Sequence, residues 1–179
     1  MSYFKVLGFD KEPFSTSPDP DFFYLSREHE TALTNVLIEL RLKRGLSVIL
    51  GDVGTGKTTL SRKLIQELKE RDDCIFNIIL DHTFEDEKLF LTSLVRNFEI
   101  NVDAAGPSTN GSTFTSASGG GTTILALREA LEKFLFQKGV TEGKTVILII
   151  DEAQKLTENS LEILRLLLNY ETNEFKLLQ

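Results

Sequence analysis

The sequence predicts an α/β fold of three layers, with a mainly parallel sheet between two layers of helices. Short apolar runs, which are typical of buried strands, alternate along the chain with stretches of helical periodicity. The first such run leads into a glycine-rich segment and a helical stretch, and a later run ends in two carboxylates. Strands that alternate with helices form parallel sheets covered by helices on both faces.

Composition is that of an ordinary globular domain. The chain has 179 residues, enough for one domain with its own core, and 41% of them are hydrophobic and 26% charged. Its longest apolar run, 146–150, is far shorter than the roughly 20 residues that cross a bilayer, and the N-terminus lacks a secretory signal pattern. Cys74 is the only cysteine, which excludes an internal disulfide and fits a reducing compartment. A net charge of −7 without a basic stripe weighs against tight DNA binding by this segment alone.

Residues 1–25 are predicted to form an N-terminal arm, and residues 26–179 the α/β domain. Prolines in the arm prevent a regular helix, and its many aromatic side chains are expected to cover an apolar surface. Ser26 can cap a helix that runs to about Arg44, where Gly45 ends it.

The rest of the domain alternates strands and helices. The helix predicted at 157–170 has apolar residues on most of its sides, so we expect it to be deeply buried. Gly, Ser and Thr dominate residues 103–123, a composition that predicts a flexible insertion within the domain. In chain order, the predicted elements are strand 46–50, helix 58–71, strand 74–80, helix 86–98, helix 124–136, strand 145–150, helix 157–170, and the start of a fourth strand at 175–179.

Residues 51–58 form a complete phosphate-binding loop of the pattern G-x-x-x-x-G-K-[ST]. Its position between a predicted strand and a predicted helix is the context that this pattern requires. Glycines let the backbone bring bare N–H groups up to phosphate oxygens, and the following helix N-terminus adds positive partial charge. We expect Lys57 to reach the β- and γ-phosphates and the Thr58 hydroxyl to ligate Mg²⁺. The predicted nucleotide-binding residues here are Gly51, Asp52, Val53, Gly54, Thr55, Gly56, Lys57, Thr58 and Thr59.

Two carboxylates follow the predicted strand at 145–150. Asp151 is predicted to hold Mg²⁺ and Glu152 to orient an attacking water, with Lys57 as the second catalytic residue. Such a pair could simply cap the turn into the next helix, but open α/β sheets bind ligands at the carboxyl ends of their strands. Gln154 follows closely enough to face the phosphates as well. Together with the loop, these residues predict a site for ATP and Mg²⁺ and an ATPase activity.

Further segments on both sides of these motifs resemble one family. The resemblance extends over 3–9, 13–15, 18–20, 23–26, His29, the phosphate loop, 151–154 and 161–172. These segments are similar to those of ExeA/GspA-type ATPases, P-loop proteins of the AAA+ superclass linked to type II secretion and pilus assembly. The resemblance implies a sheet of order 5-1-4-3-2, Mg-ATP binding and a homo-oligomer of the full-length protein. It also implies that the arm, around Phe14 and Tyr24, helps to form the adenine site; a strap packed on the domain is the open alternative for the arm.

Two departures from that family qualify the expectation. Lys57 and Asp151 are farther apart in sequence than usual, and the 103–123 insertion accounts for the excess. In the family, a polar sensor, a fifth strand and a helical lid follow the position of Gln179, so we expect a domain truncated before them. Residues 46–50 would then form a sheet edge, which invites self-association, and nucleotide binding would be accompanied by weak hydrolysis.

Three functions remain open at this point. The favoured one is an ATPase that energises assembly of a secretion or pilus apparatus, whose proteins would be its partners. By resemblance, the full-length protein would lie in the cytoplasm at the inner face of the bacterial inner membrane. The second possible function is an ATP-dependent DNA-transposition regulator, because TniB-type transposition ATPases share the same core. DNA would then be a partner, which the net negative charge of the chain disfavours. A nucleotide-binding switch or scaffold is the third.

Overall fold

The computed structural model describes residues 3–12, 23–80, 84, 86–102 and 122–179. Phe14 and residues 103–121 of the predicted insertion lie outside these ranges, so the predictions made for them are not tested. Within the ranges, the helices are α1 (Tyr3–Val6), α2 (Arg27–Arg41), α3 (Lys57–Lys69), α4 (Glu87–Asn97), α5 (Ile124–Phe136) and α6 (Glu158–Leu167). The strands are β1 (Cys74–Ile79) and β2 (Thr145–Ile150), with a π-helical turn at Gln137–Thr141 and a 3-10 turn at Ala153–Lys155.

Several helices begin where the sequence supplies a capping side chain. The side-chain oxygens of Ser26, Asp86, Thr123 and Thr157 each accept a hydrogen bond from a backbone N–H in the first turn of α2, α4, α5 and α6. Such caps satisfy donors that the helix itself cannot pair. The start of α2 at Ser26 and of α6 at Thr157 is therefore as predicted from the sequence.

Three predictions are wrong, two about helix ends and one about the arm. Helix α6 ends at Leu167 and not near Tyr170. The helix after Ser26 ends at Arg41 and not near Arg44, because Lys43 already adopts a left-handed conformation (φ 51°) before Gly45 (φ 98°). The arm is not irregular throughout, because Tyr3–Val6 form the single turn of α1.

The strands are parallel and β2 lies in the middle. Cys74 of β1 is opposite Thr145 of β2. On the other side of β2, Leu178 forms a parallel bridge to Val146, and Gln179 donates to the Val146 carbonyl (2.9 Å). The second, third and fourth predicted strands are thus neighbours in that order, in agreement with the sheet order that the resemblance implies.

The side chains of β2 alternate between two hydrophobic cores. Val146, Leu148 and Ile150 belong to the core built with α4, α5 and α6. Ile147 and Ile149 belong to the core built with α2 and α3. Because successive strand residues point to opposite faces, this alternation puts helices on both faces of the sheet and confirms the three-layer α/β fold.

Residues 46–50 do not form a strand, which corrects the prediction of a buried strand before the phosphate loop. Leu46, Val48 and Leu50 are exposed. Just before them, the Lys43 carbonyl accepts a hydrogen bond from Lys176 N–H (3.0 Å). Residues 46–50 follow this contact directly and have no backbone hydrogen-bond partner within the described ranges. A strand requires hydrogen-bond partners for its N–H and C=O groups, and the described part of the chain provides none for this segment.

The last helix is less buried than predicted. Only Ser160, Ile163 and Leu167 of α6 are buried, whereas Leu161 is half exposed. One stripe of α6 packs into the core that contains residues of α4 and α5, whereas Leu161, Glu162 and Arg165 are exposed. No helix in the described part of the chain combines the length and hydropathy required to cross a membrane.

Candidate functional site

The phosphate loop leads directly into α3. Gly54 and Gly56 both adopt left-handed conformations (φ 82° and 83°), which side chains other than glycine rarely tolerate. Gly56 is the N-cap of the 13-residue helix α3, and no side chain caps this end. The first N–H groups of the helix therefore have no side-chain acceptor and are free to bind an anion.

The first glycine of the loop is required for a different reason. A Cβ atom at Gly51 would lie 2.9 Å from the Thr55 Oγ1 atom. That hydroxyl donates to the Asp52 carbonyl at 2.8 Å, and the Thr55 N–H reaches the same carbonyl at 3.4 Å. The loop is thus folded tightly on itself, with Val53 fully exposed at its tip.

Lys57 lies across this loop. Its Nζ atom donates to the Gly51 carbonyl at 2.9 Å and to the Asp52 carbonyl at 2.7 Å. An ammonium group has three donors and can exchange such partners without breaking the chain's own secondary structure. The positive charge is therefore held at the loop by neutral carbonyls that phosphate oxygens could replace.

The two carboxylates follow β2 in a sharp turn. Asp151 N–H donates to the Ile79 carbonyl (3.4 Å), and one Asp151 carboxylate oxygen accepts from Glu152 N–H (3.0 Å). Glu152 has φ 53°, a left-handed conformation that costs a non-glycine residue of the order of 1–3 kcal/mol. Gln154 Nε2 donates to Glu152 Oε2 at 2.7 Å, and Lys155 lies 3.8 Å from the same oxygen. The turn therefore presents Glu152 on a fixed backbone with an amide partner.

The phosphate loop opens a helix that packs on one face of the sheet, and the carboxylates follow the central strand of that sheet, but no contact joins the two. Helix α3 shares its core with Ile147 and Ile149. Asp151 follows Ile149 by two positions, so the alternation of β2 directs it toward the α3 face. Among the residues that the structure describes, no hydrogen bond or ion pair links 51–58 to Asp151 or Glu152. A nucleotide and its metal ion would have to bridge that gap.

The donor set suits Mg²⁺ bound together with phosphates. Thr58 offers a hydroxyl and Asp151 a carboxylate oxygen, and Mg²⁺ prefers oxygen ligands, usually only one or two of them from protein. Within the described ranges, no cluster of three or more His, Cys, Asp or Glu side chains could hold a metal ion by itself. Thr58 and Asp151 are therefore the residues that could supply protein ligands to a magnesium ion at this site.

Tyr24 is 85% exposed, and its predicted part in an adenine site stays a prediction. Two other side chains of the same region touch the phosphate loop. His29 Nε2 lies 2.8 Å from the Thr55 carbonyl oxygen, and Phe23 lies beside Gly56. The sequence-based site prediction did not include His29, because its contact with Thr55 spans 26 positions and no local sequence pattern indicates such a contact.

The three-layer fold, the glycine loop that opens α3 and the carboxylates after a central strand together define a nucleotide-binding AAA domain. An AAA domain family matches residues 40–179, most of the chain, and the chain therefore belongs to that family. The chain is also 32% identical over 184 residues to General secretion pathway protein A of Aeromonas hydrophila, which confirms the resemblance to ExeA/GspA-type ATPases. That alignment covers 99% of this chain and 29% of the relative, so the chain spans less than a third of the relative's length. No solved structure shows significant similarity to the chain.

Proposed function

We propose that this chain binds Mg-ATP through residues 51–58 and, on its own, hydrolyses it weakly. The observation that carries the proposal is the uncapped N-terminus of α3, which is preceded by two left-handed glycines and overlaid by the Lys57 ammonium group. Backbone donors, a helix dipole and the Lys57 ammonium group, which lie close together, form an electrostatic environment for polyphosphate.

Each polar side chain of the site has a distinct role in this proposal. Lys57 exchanges its two loop carbonyls for β- and γ-phosphate oxygens, and Thr58 and Asp151 supply oxygen ligands to Mg²⁺, which neutralises phosphate charge when bound. Glu152 orients the attacking water and accepts its proton. Gln154 holds Glu152 through the 2.7 Å hydrogen bond, which restricts the carboxylate to one orientation.

We further propose that ATP turnover by the longer protein serves assembly of a secretion or pilus apparatus at the inner face of the inner membrane, with the protein acting as a homo-oligomer. The support is the similarity over nearly the whole chain to a protein called General secretion pathway protein A. The apparatus proteins would then be its partners, and the domain described here would supply the nucleotide-dependent step.

A binding and turnover experiment on the full chain tests the ATP proposal. Wild type, Lys57→Ala, Glu152→Gln and Lys69→Ala would be compared by calorimetric titration with Mg-ATP and by phosphate release. Lys69→Ala is a matched control because it removes the same charge from the exposed C-terminal end of α3, far from the phosphate loop.

Wild type and Lys69→Ala are expected to bind alike, and Lys57→Ala is expected to lose most of its affinity. Glu152→Gln is expected to retain binding while phosphate release falls by about 100-fold or more, the scale of lost general-base assistance. Absence of Mg-ATP binding by wild type, or equal affinity in Lys57→Ala, would refute the proposal.

A further inference from the structure

A cluster of three side chains connects the start of α2 to the phosphate loop. Ser26 Oγ lies 2.8 Å from His29 Nδ1, and His29 Nε2 lies 2.8 Å from the Thr55 carbonyl oxygen. The Phe23 ring packs edge-on against the imidazole, with 4.9 Å between ring centroids. The imidazole is therefore held at both nitrogens and on one side.

The hydrogen bonds define which ring nitrogen carries the proton. The Thr55 carbonyl oxygen can only accept, so His29 Nε2 must donate to it. The Ser26 hydroxyl also accepts from the His29 backbone N–H (3.3 Å) as the cap of α2, and it can still donate its own proton to Nδ1. The neutral Nε2–H tautomer satisfies every one of these groups.

Fixing the Thr55 carbonyl also fixes a donor on the opposite side of the same peptide bond. A trans peptide is planar, with its C=O and N–H groups pointing in opposite directions. The peptide joining Thr55 to Gly56 therefore directs Gly56 N–H away from His29. No group within the described ranges accepts a hydrogen bond from this N–H.

This peptide turns about the Cα–C bond of Thr55 and the N–Cα bond of Gly56. Gly56 has a positive φ (83°), and a glycine changes its φ at little cost, so the sequence on this side of the peptide does not fix its orientation. A rotated peptide would present the Thr55 oxygen where the N–H belongs, and a carbonyl oxygen repels phosphate. His29 therefore holds the loop in the orientation that an anion requires.

We propose that His29 is a positioning residue for nucleotide binding: through Nε2–H it locks the Thr55–Gly56 peptide so that Gly56 N–H faces the phosphate. This inference rests on the proposed binding of Mg-ATP by residues 51–58. It adds a residue of α2, outside the phosphate-loop pattern, to the machinery that sets nucleotide affinity.

A pair of substitutions separates this role from simple packing. In His29→Gln the side-chain amide can place a donor near the position of Nε2, whereas in His29→Asn it can reach only the position of Nδ1. Both remove the aromatic contact with Phe23 and differ from each other by one methylene group. A difference in affinity that is not accompanied by a difference in stability therefore reports on the hydrogen bond to Thr55.

The experiment is Mg-ATP titration of the full chain in wild type, His29→Gln and His29→Asn, with urea unfolding of each variant without nucleotide. We expect the two variants to have similar stability, with affinity near wild type in His29→Gln and weakened about fivefold in His29→Asn, the scale of one lost hydrogen bond. Equal affinities of the two variants, with wild type binding normally, would overturn the inference and leave the proposed ATP binding intact.

A second measurement decides the inference even if wild type binds no Mg-ATP. Nitrogen NMR of the His29 ring is expected to show the Nε2–H tautomer, and nitrogen relaxation is expected to show a more ordered Gly56 amide in His29→Gln than in His29→Asn. An Nδ1–H tautomer, or equal order of the Gly56 amide in the two variants, would refute the positioning role. Loss of ATP binding with these signatures retained would refute only the proposed function.

Discussion

The loop glycines give a prediction whose size follows from the backbone. Gly54 and Gly56 have φ of 82° and 83°, and an added Cβ would meet nothing within 4 Å at Gly54 and only ordinary contacts of 3.5 Å at Gly56. The left-handed conformation costs an alanine about 1–2 kcal/mol. Against this, alanine lowers the conformational entropy of the unfolded chain, which stabilises the fold by about 0.4–1 kcal/mol. Gly54→Ala and Gly56→Ala should therefore each destabilise the fold by about 1 kcal/mol.

Gly143 provides a matched control for this prediction. It has φ 68° and open space around its Cβ position, but it lies in the turn before β2. Gly143→Ala should cost about the same free energy of unfolding while leaving Mg-ATP affinity unchanged, whereas the two loop variants should lose affinity because their N–H groups move.

Urea unfolding followed by circular dichroism measures the stabilities, since the chain contains no Trp. At this chain length, a loss of 1 kcal/mol lowers Tm by roughly 2–4 °C. The reasoning is refuted if the loop variants cost nothing while Gly143→Ala costs about 1 kcal/mol, because the loop glycines would then not be held in left-handed conformations. It is equally refuted if Gly143→Ala weakens nucleotide binding as much as Gly56→Ala does.

Three other predictions concern residues outside the loop. Gly139→Ala would place a Cβ 2.8 Å from Leu177 Cδ2, a buried contact, so overpacking should lower the free energy of unfolding by about 1–3 kcal/mol, and unchanged urea stability would contradict this packing. The Arg71 guanidinium lowers the pKa of Asp73 to about 2. This pair therefore stabilises the fold above about pH 4, and its contribution is lost as pH falls through 2. Because both groups are largely solvated, Asp73→Asn should change the free energy of unfolding at neutral pH by less than about 1 kcal/mol, which unfolding curves from pH 2 to 7 can check. Burial raises the pKa of the Cys74 thiol, so at pH 8 it should react with an aromatic disulfide reagent more slowly than a cysteine peptide does, and unfolding in urea should abolish the difference.

Local signals in the sequence were sufficient to predict most of the helices and strands. The bounds of α5 and β2 are as predicted, because Thr123 caps a periodic apolar stretch and 145–150 is an uninterrupted apolar run. The order of the strands in the sheet could be expected only through the family resemblance.

Features that depend on distant parts of the chain could not be predicted. Residues 46–50 have the composition of a strand, but a strand exists only beside a partner, and no backbone hydrogen bond pairs them with another segment of the described chain. The composition of α6 suggested burial on most sides, but only one stripe of it packs against other helices. His29 was missed for the same reason, because its link to Thr55 is a property of the fold and not of the neighbouring residues. The assignments of Lys57, Thr58, Asp151 and Glu152 remain predictions.

The hydrogen bond from Gly45 N–H to the Gln179 side chain joins positions 134 apart in the chain. During synthesis at about 5–20 residues per second, the second partner is made roughly 7–27 s after the first. Ile147, which covers the α2–α3 core from the sheet side, also arrives late. Cys74 and Phe76 of β1 pack against this core and are made soon after α3, so the first two long helices leave the ribosome with a partly uncovered apolar face for many seconds. This interval is far longer than helix formation itself. Nascent chains of this domain should depend on chaperones during that interval.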